Sequence, residues 1–149
     1  MKTRTLEFAR PAVLANAADF EAGYTLALLW ATSGTDAEGA ECEDLQGFEL
    51  SASAQATIHA DCSLFFWANL DDLRAHNAAR GACPDGGAWQ YAGHDFALNR
   101  MGAGVGFWDR GTGEPGDRLS AAATAAGNCE AYIGDDGQIW IAGREGSAP

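Results

Sequence analysis

Lysine is almost missing from this chain: Lys2 is the only one, and between Arg10 and Arg74 there is no basic residue of either kind. Cysteine is sparse, with Cys42, Cys62, Cys83 and Cys129 widely separated and no CxxC pair. That spacing excludes a zinc ribbon or a thioredoxin-type redox motif and gives reduced thiols in a cytosolic protein as the expectation. No run approaches 18 uncharged apolar residues, so no membrane span is expected. The charged residues 1–10 are not followed by an apolar segment with a cleavage site, so no signal peptide is expected. Internal repeats and low-complexity tails are missing as well.

What is present is acid. The base-free stretch carries eleven carboxylates: Asp19, Glu21, Asp36, Glu38, Glu41, Glu43, Asp44, Glu49, Asp61, Asp71 and Asp72. More than sixty residues of one sign build a directed field, which repels nucleic acid and anionic membrane and attracts basic proteins. Little lysine beside much alanine and glycine fits a GC-rich genome. Codon bias does not explain the asymmetry, because eight of the nine bases lie in 1–10 and 74–118, with only Arg144 beyond. With 149 residues, 47% of them hydrophobic, and a net charge of -12, the chain is expected to form one soluble domain. A chain of this length buries about 70% of its unfolded surface.

Residues 1–15 read as a lead-in in which Leu6 and Phe8 are available as anchors. Asn16 is a candidate N-cap, with Asp19 and Glu21 in the first turn, for a helix over Ala17–Thr32. Its apolar residues cover most faces, as in a buried helix. Residues 34–49 form an exposed acidic loop. A second helix is expected from Ser51 or Ser53 to Ala79, stopped by Gly81, with Ile58, Phe65, Leu70 and Leu73 at helical spacing. Residues 81–88 read as a linker.

Alternation then suggests strands at 91–100 and 105–110, a short helix from Pro115 to Gly127, and strands at 130–134 and 138–142 around Asp135-Asp136-Gly137. The order α-α-β-β-α-β-β predicts an α+β domain. In it, two N-terminal helices (the helical half, 16–80) pack on an antiparallel sheet of two hairpins joined by a short helix (90–142), with a flexible tail at 143–149.

The densest motif is Gly93-His94-Asp95-Phe96-Ala97-Leu98-Asn99-Arg100, followed by Gly106-Phe107-Trp108-Asp109-Arg110 and, near the end, the Tyr132–Trp140 hairpin. This pattern, G-H-D-F-x-L-x-R then G-F-W-D-R then Y-x-G-D-D-G-x-I-W, resembles a family of small acidic proteins encoded by tailed phages and prophages. The resemblance runs from the first helix to the C-terminal hairpin and implies a phage origin, hence the cytoplasm of a bacterial host. It implies no activity. The chain departs from the family in the turn, where Ala103 and Val105 leave no side-chain chemistry.

Read residue by residue, His94, Phe96 and Leu98 share one face of the expected strand, with Asp95, Ala97 and Asn99 on the other. A catalytic reading makes His94 a general base oriented by Asp95 or Asp109. Neighbours on a strand point to opposite faces, which opposes a His94–Asp95 dyad. An alternative hairpin site therefore comprises His94, Asp95, Arg100, Trp108, Asp109 and Arg110. Gly102, Gly104 and Gly106 fail the dinucleotide spacing and precede a strand, not a helix. His59 and Cys62 lack a second ligand pair, and Asp135-Asp136-Gly137 lacks further calcium oxygens. No metal and no cofactor is expected.

The expected function is that of a non-enzymatic, phage-encoded interaction protein. Its acidic surface blocks a basic, nucleic-acid-binding host protein of the restriction or CRISPR type, without itself binding nucleic acid or membrane. The contact set is Asp36, Glu38, Glu41, Glu43, Asp44 and Glu49 with Asp61, Asp71 and Asp72. Extended at about 3.3 Å per residue, the six loop acids span roughly 45 Å, one per ~8 Å, against one charge per ~1.7 Å in duplex DNA. Charge mimicry therefore requires the fold to gather further carboxylates beside the loop. The alternatives are a small enzyme or ligand binder using the His94–Arg110 segment, and a virion or assembly component.

Overall fold

The computed structural model describes residues 11–81, 83 and 87–142; residues 1–10 of the lead-in, part of the 81–88 linker and the expected 143–149 tail lie outside them. The elements run α1 (Pro11–Trp30), β1 (Gly34–Thr35), β2 (Glu41–Cys42), α2 (Ala52–Ala68), α3 (Leu70–Arg80) and α4 (Gly87–Met101). A 3₁₀ turn (Phe107–Asp109), α5 (Glu114–Ala125), β3 (Glu130–Ile133) and β4 (Ile139–Ala142) follow.

This overturns the α+β expectation. The described chain is mostly helical, with five α-helices and two separate two-stranded antiparallel ribbons. Residues 91–100 are helix, and 105–110 are a loop and a 3₁₀ turn. The His94, Phe96, Leu98 alternation imitates a strand. In α4, however, Gly93, Asp95, Phe96, Ala97, Leu98 and Arg100 are all buried, because α1, α3 and α5 pack around it. The expected long second helix is two helices broken at Asn69, whose side chain donates to the Phe65 carbonyl at 2.9 Å. α1 starts at Pro11, ahead of the expected Asn16 cap, and proline suits a first helical position.

Two close backbone contacts set the core. A Cβ at Gly93 would fall on the Phe20 carbonyl oxygen and one at Gly23 on that of Gln90, so glycine at both positions lets α1 and α4 approach backbone to backbone. Around this contact lie stacked aromatics, with Phe65 against Phe96 at 3.9 Å and Phe107 at 5.9 Å between centroids, and Phe20 against Phe96 at 5.8 Å. Offset aromatic packing of this kind adds about 0.5–1.5 kcal/mol per pair beyond burial. Ser51 caps α2, accepting from the Ala54 amide at 3.0 Å. In the C-terminal hairpin Tyr132 lies opposite Trp140 and Ile133 opposite Ile139.

Candidate interaction surface

The conspicuous motif goes to the interior. Asp95 is fully buried, accepts from Arg110 Nε at 2.8 Å, and forms ion pairs with Arg110 Nη2 at 2.8 Å and Arg80 Nη1 at 3.2 Å, with His76 Nε2 at 3.4 Å. The other ring nitrogen of His76 lies 2.7 Å from Thr112 Oγ1. Thr112, His76 and Asp95 are residue types of a nucleophile triad, but they are packed into the interior. All three are buried, and a Cβ on Gly116 would stand 2.5 Å from Thr112 Oγ1. The cluster neutralises a buried carboxylate and ties α3 and α4 to the loop after the 3₁₀ turn.

Arg100 does the same elsewhere. Its Nη1 donates to Asp61 at 2.9 Å and Tyr24 Oη at 3.0 Å, and its Nε and Nη2 donate to the carbonyls of Gly127 and Ala126. Burial works against the guanidinium charge, but Tyr24 and Asp61 together raise its pKa. Burial raises the pKa of Tyr24 well above its ordinary value, and that of the nearby Cys62 thiol likewise, so both remain protonated. Asp61 is thus withdrawn from the surface set expected from the sequence.

The remaining motif residues are mostly structural. Asn99 Oδ1 accepts from the Phe107 amide at 3.1 Å and Asp109 Oδ1 from the Gly106 amide at 3.0 Å. His94 is half-buried, and burial lowers its pKa. It stands edge-on to Tyr91 at 5.2 Å and is not joined to Asp95 or Asp109 in a dyad. Trp108, 53% exposed, faces solvent. The six residues of the alternative site therefore do not converge on a cleft. Sequence reading missed His76, although Leu70, Leu73 and His76 recur at three-residue steps on the buried face of α3.

The loop acids are exposed or half-exposed, and the loop is held in shape. Leu45 is buried, and its amide donates to the Leu29 carbonyl at 2.9 Å. Asp36 Oδ1 accepts from the Glu38 and Ala40 amides, and Asp44 Oδ1 from the Gln46 amide. These two aspartates fix turns, while Glu38, Glu41, Glu43 and Glu49 are exposed.

The loop is stitched to the C-terminal hairpin at both ends. β1 packs beside β3. At the other end the Ile139 amide donates to the Glu49 carbonyl at 2.8 Å and the Ser51 amide to the Ile139 carbonyl at 2.9 Å, around a parallel Leu50–Ile139 bridge. Glu130, Asp135 and Asp136 thus belong to a hairpin that packs against the segment carrying the six loop acids. Asp136 accepts from the Gln138 amide and the Trp140 indole, which lower its pKa. Asp71 and Asp72 lie instead at the start of α3, where Arg118 holds Asp72 with three hydrogen bonds of 2.9–3.1 Å. In sequence Asp135 and Asp136 read only as a turn and were not joined to the acidic contact set, because no local signal places them beside residues 34–50.

Among the described residues, no group of three or more His, Cys, Asp or Glu side chains is arranged to hold a metal ion. No helix among them is long and apolar enough to cross a membrane. Comparison with protein-family models, with curated proteins and with solved structures finds no match to this chain.

Proposed function

We propose that this protein is a non-enzymatic interaction module whose acidic end docks on a basic, nucleic-acid-binding protein and occupies the surface meant for nucleic acid. One observation carries the reading. Of the five arginines among the described residues, Arg80 and Arg110 are committed to Asp95, Arg100 to Asp61 and Arg118 to Asp72, and the fifth, Arg74, lies on α3. No base lies in 31–50 or 119–142. Among the described residues positive charge is used inside and beside α3, and none of it lies on the loop or the hairpin. With the hairpin acids the loop acids make nine carboxylates on these two packed segments, which supports the reading.

The motif resemblance to phage and prophage proteins supports the biological form of this proposal: inhibition of a host restriction or CRISPR component in the bacterial cytoplasm. Burial of His94-neighbouring Asp95 and of Arg100 in ion pairs favours this over the enzymatic alternative. The test is affinity capture from a bacterial lysate carrying restriction and CRISPR systems, washed at low salt and at 0.5 M salt. Retention of a nucleic-acid-binding protein at low salt and its loss at high salt is expected, since exposed charges are screened within about 10 Å at 0.1 M. No partner at either salt would contradict the proposal.

A further inference from the structure

A groove of about 840 Å³ runs between α1 and α2, lined by Leu14, Ala18, Leu26, Leu29, Cys62 and Trp67. Leu14 and Leu26 are 51% and 46% exposed, although both are large apolar side chains on a well-formed helix. The lining from Leu14 to Leu29 follows α1 for fifteen residue steps, roughly 22 Å at 1.5 Å per residue. That is the footprint of a helix of about four turns. An open apolar groove of this length has the form that receives an amphipathic helix.

Charge identifies the occupant. Neither α1 nor α2 contains a lysine or arginine, and neither does the loop between them. The carboxylate lining the groove is Glu21, which holds the exposed His59 at 2.8 Å. An exposed pair of this type is worth only about 0–1 kcal/mol, so an incoming cation can replace His59. The groove ends at Leu29, whose carbonyl takes the Leu45 amide of the acidic loop. The apolar floor, Glu21 on it and the acidic loop are therefore connected along α1. A second copy of the chain is a poor occupant, since each brings a net charge of -12.

We infer that the α1–α2 groove receives a basic amphipathic helix of a partner protein, with its apolar face on Leu14, Leu26 and Trp67 and a lysine or arginine on Glu21. Helix-in-groove recognition of this form is read out by side chains at i, i+3, i+4 and i+7. The inference rests on the proposed function only for the sign of the partner's charge.

The test uses the full chain and two 18-residue helical peptides that share a leucine face, one with lysine and one with glutamate on the opposite face. Amide chemical shifts on titration with the lysine peptide are expected to move along Ala17–Leu29 and His59–Trp67. The glutamate peptide should bind at least tenfold more weakly. Leu26→Lys and Ser63→Lys, at exposed and half-exposed positions, should each cut lysine-peptide affinity about tenfold with an unchanged circular dichroism spectrum. Equal binding of the two peptides, or shifts confined to the acidic loop, would overturn the inference. So would failure of the full chain to bind either peptide, or a dimer that the peptide dissociates. The E38Q/E41Q/E43Q/E49Q protein should retain peptide binding within twofold. A partner still captured by that variant would count against the acidic end and leave the groove standing.

Discussion

Arg100 shows how much of this fold rests on single side chains. It reaches α1 through Tyr24, α2 through Asp61 and the end of α5 through the Ala126 and Gly127 carbonyls. Removing one partner of a buried ion pair strands the other charge, a loss of about 3–5 kcal/mol. Arg100→Ala should therefore lose that much stability in urea denaturation, while the joint replacement Arg100→Met with Asp61→Leu should recover most of it. Equal loss in both proteins would show that the charge pair is not the cause.

His94 gives a pH signature. Its pKa lies below 6.5 in the folded protein because burial disfavours the imidazolium, so the unfolded chain binds the proton more readily. Stability from this residue is complete above about pH 6.5 and is lost as pH falls through the lower folded value. The stability of wild type relative to His94→Gln should decline from pH 7.5 to 5.5. A difference that is flat or grows on acidification would contradict the assignment.

At the scale of elements, α4 is the place where sequence and structure part. Strands and helices are told apart by hydrophobic period, and that signal assumes buried positions are apolar. Asp95 and Arg100 violate it, because their burial is supported by partners on α2, α3 and the 110–112 loop that no local window contains. The Asp-Gly turn of the C-terminal hairpin was legible because its chemistry is local. So were the body of α1, the exposure of the loop acids and the helical character of 52–80. The break at Asn69 and the β1–β2 ribbon were not, since both follow from what the segments pack against.

The α1–α4 contact makes a sharper prediction at this scale. Gly93→Ala places a methyl group on the Phe20 carbonyl and 2.7 Å from the Tyr24 amide nitrogen, both backbone atoms that cannot swing aside. Overpacking of this kind costs about 1–3 kcal/mol. The melting temperature should fall, whereas Gly102→Ala, with open space at its Cβ but φ at +67°, should show only the smaller strain of that conformation. Gly93→Ala with wild-type stability would mean that the two helices are not held this close.

For the whole molecule, the arrangement of charge matters more than its sum. Acids that lie near bases in the fold, Asp61, Asp72 and Asp95, were dispersed through the sequence and looked no different from the rest. The fold sorts them into structural ion pairs and, among the described residues, leaves the loop and hairpin single-signed, which the one-signed stretch in the sequence showed only in outline. Self-repulsion at that end should make the protein more stable in 0.3 M salt than in 0.02 M salt.

The most direct test of the acidic-end account is side-by-side capture from the same lysate with wild type and the E38Q/E41Q/E43Q/E49Q variant as baits. These glutamates are exposed, and the turn-fixing Asp36 and Asp44 are left intact. The account predicts that the variant folds as wild type does and loses the nucleic-acid-binding partner at low salt. Equal recovery of that partner by both baits would contradict it.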